Sequence, residues 1–375
     1  MQYDDDNKVD GIVLVTEKAA KFLNPKQEIS YREHRKELAE WLLNLGRNPS
    51  KAEGYSYSTA KTRMNRLDIF YRFVWQNEDR YVQHMTTEYA DAWMRELAKK
   101  DFKESTKNHY QKSVKTLFKW QRDARNRDVE WDPEIEYSDP STNYQPRDYL
   151  TKQDRRKLRQ AAMNYGTIPH YNSVTPEERE RWNAHLAQRL QKPKDEISKE
   201  DWNRANSFKF TSMMHTALDA GLRPIEIKRA NVSWIDSDNG VLRIPSEESS
   251  KNRENWIVAL KEETVSILER WLEERNQHQR YDGCDAVWLT KYGNRYNKDS
   301  FRRDVFRPMC KEAGLDLEDR DLTPYSIRHS TATYTAAEEG LAVAAEQCRH
   351  KSKRTTEKYE HSSVERQQDA VHSIE

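Results

Sequence analysis

Apolar residues recur at helical spacing through the first third of the chain. Leu38, Trp41, Leu42 and Leu45 share one face before Gly46. Ala60, Met64, Leu67, Tyr71 and Val74 form a second stripe, Ala90, Trp93 and Leu97 a third, and Tyr110, Val114, Leu117 and Phe118 a fourth. A 3.6-residue period of this kind predicts four amphipathic helices between about 30 and 127. Ser30 and Glu33 have capping-box spacing for the first start; the third helix follows Thr86 and the fourth opens near Ser105. Four short helices with short connections predict an independent helical domain.

From 132 to 146 the periodic apolar residues give way to Asp, Ser, Thr, Asn and the prolines Pro133, Pro140 and Pro146. This composition predicts an exposed linker. Thr151 with Asp154 then caps a new helix, so a second domain begins near Arg147. Its pattern is mostly helical with a small antiparallel sheet. A polar stretch over 164–201 reads as a surface excursion with a helix of its own, and a helix from about Trp202 stops at Gly221. Strands are expected at 232–235 and 241–244 around Asn239-Gly240, a strong hairpin signal, and at 256–260. Helices follow near 262–275, 298–313, 324–338 and 341–347, and a last pair brackets Tyr359.

Composition narrows the class. Only 35% of the 375 residues are hydrophobic, yet there are 11 Trp, 19 Tyr and 9 Phe, more aromatics than disordered chains keep. Modest cores under a large wet surface suit a protein that wraps a polar partner. The net charge of +1 is uninformative by itself; the placement of the 64 basic residues matters. Bases outnumber acids between Asp101 and Arg127, where Lys107, Lys112, Lys115 and Lys119 lie, and Lys61, Arg63 and Arg66 sit away from the apolar stripe of the second helix. Solvated helix faces and a nucleic-acid contact both explain such runs. Cys284, Cys310 and Cys348 have no metal-ligand spacing and are expected to be reduced thiols. No leader follows Met1, and no apolar run approaches the ~20 residues that span a bilayer. A soluble, cytoplasmic protein without membrane partners is expected.

The chemistry-bearing candidates are cations and one tyrosine, each at the end of an element. Arg223 follows a helix stop in Gly221-Leu222-Arg223-Pro224. Lys251 lies between two strands. Tyr325 and Arg328 stand three apart after Thr323-Pro324, an N-cap and first-turn pair, and so share one helix face. His350 precedes Lys351-Ser352-Lys353, and Tyr359 comes nine residues later (359 − 350). Singly, each has a bland explanation: a helix cap, a solubilising loop tip, a structural tyrosine.

As an ordered set they resemble the tyrosine recombinase (phage integrase) family. Gly-Leu-Arg at 221–223 matches the family's first box, Lys251 its hairpin lysine, and Tyr-Ser-Ile-Arg-His-Ser at 325–330 its second box. His350 and Tyr359 match the last two positions in identity and separation. There are two departures: Tyr325 stands where the family usually has His, and Arg349 where it usually has Gly before the second His. The likeness covers about 147–375; archaeal and archaeal-virus integrases are a further, fainter likeness.

The resemblance implies a helical core-binding domain over 30–131, a linker over 132–146 and a catalytic domain with a C-terminal tail over 147–375; residues 1–29 are an N-terminal extension that the resemblance does not cover. It implies cleavage and rejoining of double-stranded DNA through a 3′-phosphotyrosine on Tyr359. Arg223 and Arg328 would clamp the scissile phosphate with His350 as a third donor, Lys251 would protonate the leaving 5′-oxygen, and Tyr325 would donate to the phosphate rather than act as a base. Glu226 would orient a basic neighbour, and His329 would pack behind the site. Neither metal nor cofactor is required. The expected partner is duplex DNA bound by a homo-tetramer on paired sites, monomeric or dimeric off DNA, in the integration or excision of a mobile element or virus. A type IB topoisomerase and a catalytically inactive DNA-binding relative remain as alternatives.

Overall fold

The computed structural model describes residues 5–138, 148–249, 254–351, 353–357, 368 and 371–373. The chain divides into two compact units, Met1–Tyr144 and Gln145–Glu375. It is mostly helical with small antiparallel sheets.

In the first unit, strands β1 (Lys8–Val9) and β2 (Ile12–Val13) pair antiparallel, with Val9 opposite Ile12. Helices α1 (Glu17–Ala20), α2 (Pro25–Asn44), α3 (Tyr57–Glu78), α4 (Thr87–Lys99) and α5 (Glu104–Arg125) follow. The apolar stripes read from the sequence face inward: Leu38, Met64, Leu67, Tyr71, Trp93, Leu97 and Leu117 are all buried in one core. Each such side chain contributes roughly 1.5–3 kcal/mol when removed from water.

Two boundaries differ from expectation. Helix α2 begins at Pro25, not Ser30, because Asn24 and Gln27 form the capping box: Gln27 N donates to Asn24 Oδ1 at 3.0 Å and Asn24 N to Gln27 Oε1 at 2.9 Å. The stretch before it is not a separate extension, since Ile12, Leu14, Val15 and Ala19 belong to the same core. Arg35, fully buried, donates from Nε to the Leu14 carbonyl at 3.2 Å and from Nη2 to that of Met64 at 2.8 Å.

The described part of the expected linker is exposed at Asp132, Glu134, Glu136 and Ser138, but it is anchored to the first unit rather than free. Trp131 and Tyr137 are buried in the first unit. Tyr137 donates from its hydroxyl to the Met94 carbonyl at 2.6 Å, and Gln111 donates to the Ile135 carbonyl at 2.6 Å. Local composition missed this because two aromatic anchors outweigh the polar residues between them. Residues 139–147 of the linker, with Pro140 and Pro146, lie outside the described residues.

In the second unit, α6 (Lys152–Asn164) carries the Thr151–Asp154 capping box. The polar excursion holds α7 (Pro176–Leu190) and α8 (Lys199–Arg204), with a small core of its own around Trp182, Leu186 and Trp202. The helix expected from Trp202 to Gly221 is broken, and α9 (Phe208–Ala220) starts afresh. The buried Glu274 carboxylate accepts Ser207 Oγ at 2.5 Å and Phe208 N at 2.8 Å, satisfying a new helix start. Helix α9 is buried along most of its length and ends at Gly221, whose φ of 53° is left-handed.

Next come α10 (Pro224–Arg229) and a sheet of β3 (Ile235–Asp236), β4 (Val241–Ile244) and β5 (Trp256–Ala259) in sequence order. Only Ile235–Asp236 forms the first strand; 232–234 make a 3-10 turn held by Val232 N donating to the Asp285 carbonyl at 2.8 Å. Leu242 and Ile244 point inward while Arg243 faces out. Helices α11 (Glu262–Arg275), α12 (Lys298–Phe301) and α13 (Arg307–Glu312), the latter two joined by one π turn, lead to α14 (Pro324–Glu339), α15 (Leu341–Gln347) and α16 (Lys353–Glu357). Among the described residues, no helix is long and apolar enough to cross a membrane and no cluster could hold a metal ion.

Candidate functional site

Three element ends meet in the second unit: the C-terminus of α9 with the start of α10, the first turns of α14, and the loop after α15. Gly221 ends α9 in a conformation that needs no Cβ, and a methyl there would stand 3.2 Å from Cys348 Sγ and 3.3 Å from Thr331 Cβ. The carbonyl of Gly221 accepts Arg328 Nη1 at 2.8 Å and Arg349 Nη2 at 3.1 Å. A helix C-terminus, with its unpaired carbonyls and partial negative charge, suits two guanidinium groups.

Arg223 occupies the N-cap position of α10. Its backbone N donates to Glu226 Oε2 at 2.7 Å, its Nη1 to Glu226 Oε1 at 2.7 Å, and its Nη2 to the Arg349 carbonyl at 3.0 Å. Arg328, on the first turns of α14, donates from Nη2 to the Cys348 carbonyl. Arg223 and Arg328 thus converge on one short loop, 348–350, from positions 105 residues apart (328 − 223).

Glu226 is 1% exposed and lies between two cations. Burial disfavours its charge, but Arg349 and then Arg223 outweigh that cost and hold the carboxyl well below the usual carboxylate range. Burial pushes Arg328 down to about 10, which leaves it charged at neutral pH. His350 is 9% exposed; burial first, then Arg328 and Arg223, lowers it to about 3, so the ring is neutral. Its Nδ1 is 3.2 Å from Thr356 Oγ1, and its backbone N donates to the Ala345 carbonyl at 2.8 Å.

Tyr325 lies in the first turn of α14, three residues before Arg328, and is half-buried, as is His329. His329 adds to the charges that lower His350, which sets it near that ring. Lys251 and Tyr359 lie outside the described residues. Beyond the loop that holds Lys251, Glu254 pairs with Lys351 at 2.7 Å, and Gln347 bridges β5 to α9 by donating to the carbonyls of Ala259 and Asp219, each at 2.9 Å.

Arg349 has a role that sequence reasoning missed. It is 1% exposed with a φ of 56°, and its guanidinium reaches both oxygens of Glu226, at 3.2 and 2.7 Å. Its departure from the family's glycine was visible, but not that a long side chain would fold back from a left-handed backbone. Arg155 was missed too: half-buried, it donates to Ser330 Oγ at 2.7 Å, Thr331 Oγ1 at 3.0 Å and the Leu218 carbonyl at 2.8 Å, tying α6 to α14 and α9.

The basic residues of the first unit are unevenly available. Lys61, Lys112 and Lys115 are exposed. Lys115 stands 3.5 Å from Glu136. Arg63 stacks on Tyr55 at 4.1 Å, and Arg66 lies over Tyr110 at 5.9 Å. Lys107 donates to the Ala98 carbonyl at 3.3 Å, and Lys119 to that of Gly46 at 3.1 Å, so these two bind backbone.

A sequence model described as "Phage integrase family" matches residues 192–366. Among curated relatives, a tyrosine recombinase XerC of Bifidobacterium longum is 25% identical over 170 residues, 43% of this chain and 45% of the relative. One of Actinobacillus pleuropneumoniae is 28% identical over 162 residues, 43% of this chain and 50% of the relative. A tyrosine recombinase XerA of Saccharolobus solfataricus is 29% identical over 146 residues, 38% and 43%. The chain thus spans about half the length of the curated relatives it matches.

Among solved structures, XerH site-specific recombinase bound to palindromic difH substrate has a TM-score of 0.56 at 15% identity, over 95% of this chain and 90% of that one. The Tn1549 transposon integrase in complex with transposon right end DNA has a TM-score of 0.54 at 14% identity, over 90% and 98%. These likenesses concern the fold. The family match includes Arg223, Arg328, His350 and Tyr359, the residues on which the sequence resemblance stood. Residues 192–366 of this chain are thus similar to the phage integrase family, and that stretch resembles tyrosine recombinases.

Proposed function

We propose that this chain is a site-specific DNA recombinase that cuts and rejoins double-stranded DNA through a 3′-phosphotyrosine on Tyr359. The observation that carries the reading is the convergence of the Arg223 and Arg328 guanidinium groups and the neutral His350 ring on loop 348–350. A phosphodiester resists attack because its oxygens are negative, and planar guanidinium forks held in advance lower the barrier as charge builds on those oxygens. Removing one such donor typically costs about 2.7–4 kcal/mol of barrier, a hundred- to thousandfold in rate.

In the proposed first step, the Tyr359 phenol releases its proton to solvent, its oxygen forms a bond to the scissile phosphorus and the bond from phosphorus to the 5′-oxygen breaks. Lys251 supplies the proton that completes the 5′-hydroxyl. The bond energy stays in the phosphotyrosine until a second 5′-hydroxyl attacks and releases the tyrosine. Tyr325 donates to the phosphate, Glu226 orients its basic neighbours, and His329 packs behind. Neither metal nor cofactor takes part in this scheme. XerH bound to difH substrate and the Tn1549 integrase in complex with transposon right end DNA share this fold, which supports duplex DNA as the partner here. The first unit is proposed as the core-binding half, with Lys61 and Lys112 its most available phosphate contacts. Strand exchange between two sites requires a tetramer, monomeric or dimeric off DNA. The proposed setting is integration or excision of a mobile element or virus in the nucleoid.

One observation favours a second reading, a DNA-binding relative without activity: Tyr325 occupies the second-box position where the family usually has histidine. Incubation with nicked suicide DNA separates the two. A denaturation-resistant adduct that disappears in Tyr359→Phe while DNA binding persists supports recombination; binding without any adduct supports the inactive relative. An adduct that survives Tyr359→Phe removes the assigned nucleophile.

A further inference from the structure

Arg349 sits where the tyrosine recombinase family usually has glycine, and its backbone is left-handed, with a φ of 56°. For a residue with a Cβ this conformation is strained, so the surroundings must hold it there. They do so through the guanidinium. Its Nη1 donates to the carbonyls of Ala220 at 2.8 Å and Gln347 at 2.7 Å, its Nη2 to that of Gly221 at 3.1 Å, and Nε and Nη2 reach the two oxygens of Glu226. The side chain thereby joins the end of α9, the first turn of α10 and the end of α15.

Both terminal nitrogens of Arg223 depend on this residue. Nη2 donates to the Arg349 carbonyl, which the left-handed backbone turns toward it, and Nη1 donates to Glu226, whose carboxylate the Arg349 guanidinium grips from the other side. A buried carboxylate with a single guanidinium partner would draw that partner into a neutral pair. Here Glu226 is divided between two guanidinium groups, and its charge neutralises neither completely. Arg349 and Arg328 also share the Gly221 carbonyl, so the second arginine of the clamp is registered against the same joint.

We infer that Arg349 is a positioning residue: it fixes the Arg223 guanidinium and divides the Glu226 charge, so that Arg223 keeps net positive charge for a phosphate. The inference rests on the proposed function for the identity of that phosphate, but not for the charge argument, and two readouts keep them apart. The first is the rate of covalent adduct formation on nicked suicide DNA. The second is the rise in melting temperature caused by inorganic phosphate.

Arg349→Gly retains a backbone that accepts the left-handed turn and loses only the side chain. It is expected to bind DNA within about twofold of the parent protein, to form adduct at least tenfold more slowly, and to lose most of the phosphate-induced shift, a loss on the scale of one phosphate-binding donor. Adding Glu226→Gln to Arg349→Gly removes the carboxylate that now captures Arg223, and is expected to recover at least threefold of the rate and part of the shift. A purely structural Arg349 predicts the opposite, a double variant worse than the single. Arg349→Lys keeps the charge beside Glu226 and covers the case in which Arg349→Gly does not fold. It is expected to fall less than Arg349→Gly, or less than fivefold where that variant is unfolded. A double variant no better than Arg349→Gly, or Arg349→Lys as impaired as Arg349→Gly, overturns the inference. If the parent protein forms no adduct but the phosphate shifts follow this pattern, the proposed function fails and the positioning role stands.

Discussion

The Glu226 carboxylate and the Arg349 guanidinium, 123 residues apart in sequence, meet in a two-point contact whose shorter arm is 2.7 Å, with each side chain 1% exposed. Pairs of this kind are costly to break from one side, because the remaining charge is left buried. In this chain the same carboxylate also holds Arg223, so a structural joint and the proposed phosphate clamp are one object.

Replacing Glu226 with alanine is therefore expected to destabilise the second unit by about 3–5 kcal/mol, the scale for breaking a buried pair. The sign with pH follows from the lowered carboxyl. Its stabilisation is present above the unfolded pKa of about 4.3 and is lost as pH falls toward the lower folded value. Urea unfolding at several pH values checks this. The gap between the parent protein and Glu226→Gln should be constant above about pH 5 and shrink in stronger acid.

His350 is held neutral, lowered to about 3 by burial and by Arg328 and Arg223. Its contribution to stability is complete above the unfolded value of about 6.5 and drains away as pH falls toward 3, since only the unfolded chain takes up the proton over that range. His350→Gln should therefore lose less stability than the parent protein between pH 7 and 4.5. Histidine-resolved NMR should show His34 and His350 among the rings that do not titrate between pH 5 and 8, and one of those resonances should vanish in this variant.

Gly221→Ala combines a left-handed backbone with contacts of 3.2 Å to Cys348 Sγ and 3.3 Å to Thr331 Cβ. The backbone term alone is about 1–2 kcal/mol. Because the Gly221 carbonyl accepts both Arg328 and Arg349, adduct formation should fall by more than the loss of folded protein explains. Single-turnover cleavage beside a thermal melt measures both.

The N-terminal segment should prove part of the first unit. Leu14 is 1% exposed, and its carbonyl accepts from the buried Arg35. Leu14→Ala is expected to cost about 2–5 kcal/mol, the range for truncating a buried leucine. Deleting residues 1–24 should cost more, exposing the core and leaving Arg35 without that acceptor. Chemical denaturation followed by tryptophan fluorescence tests both variants; an unchanged midpoint for the deletion would show the segment to be dispensable.

Much of this protein was determined by the sequence alone. Helical periodicity placed the stripes of α3, α4 and α5, Asn239-Gly240 marked the hairpin, and Thr151 with Asp154 marked the start of α6, because these signals act within a turn or two of the chain. The ordered series from Arg223 to Tyr359 carried the resemblance to tyrosine recombinases for a similar reason, since residue identity and order survive without coordinates. What only the tertiary structure decided depends on contacts between distant segments. Glu274 starts α9 afresh from 67 residues away, at Ser207. Trp131 and Tyr137 pin a stretch whose composition reads as linker. Arg349 shares Glu226 with Arg223 because a left-handed backbone turns it inward. Electrostatic and packing energies of this kind depend on distance in space, which a one-dimensional pattern does not carry.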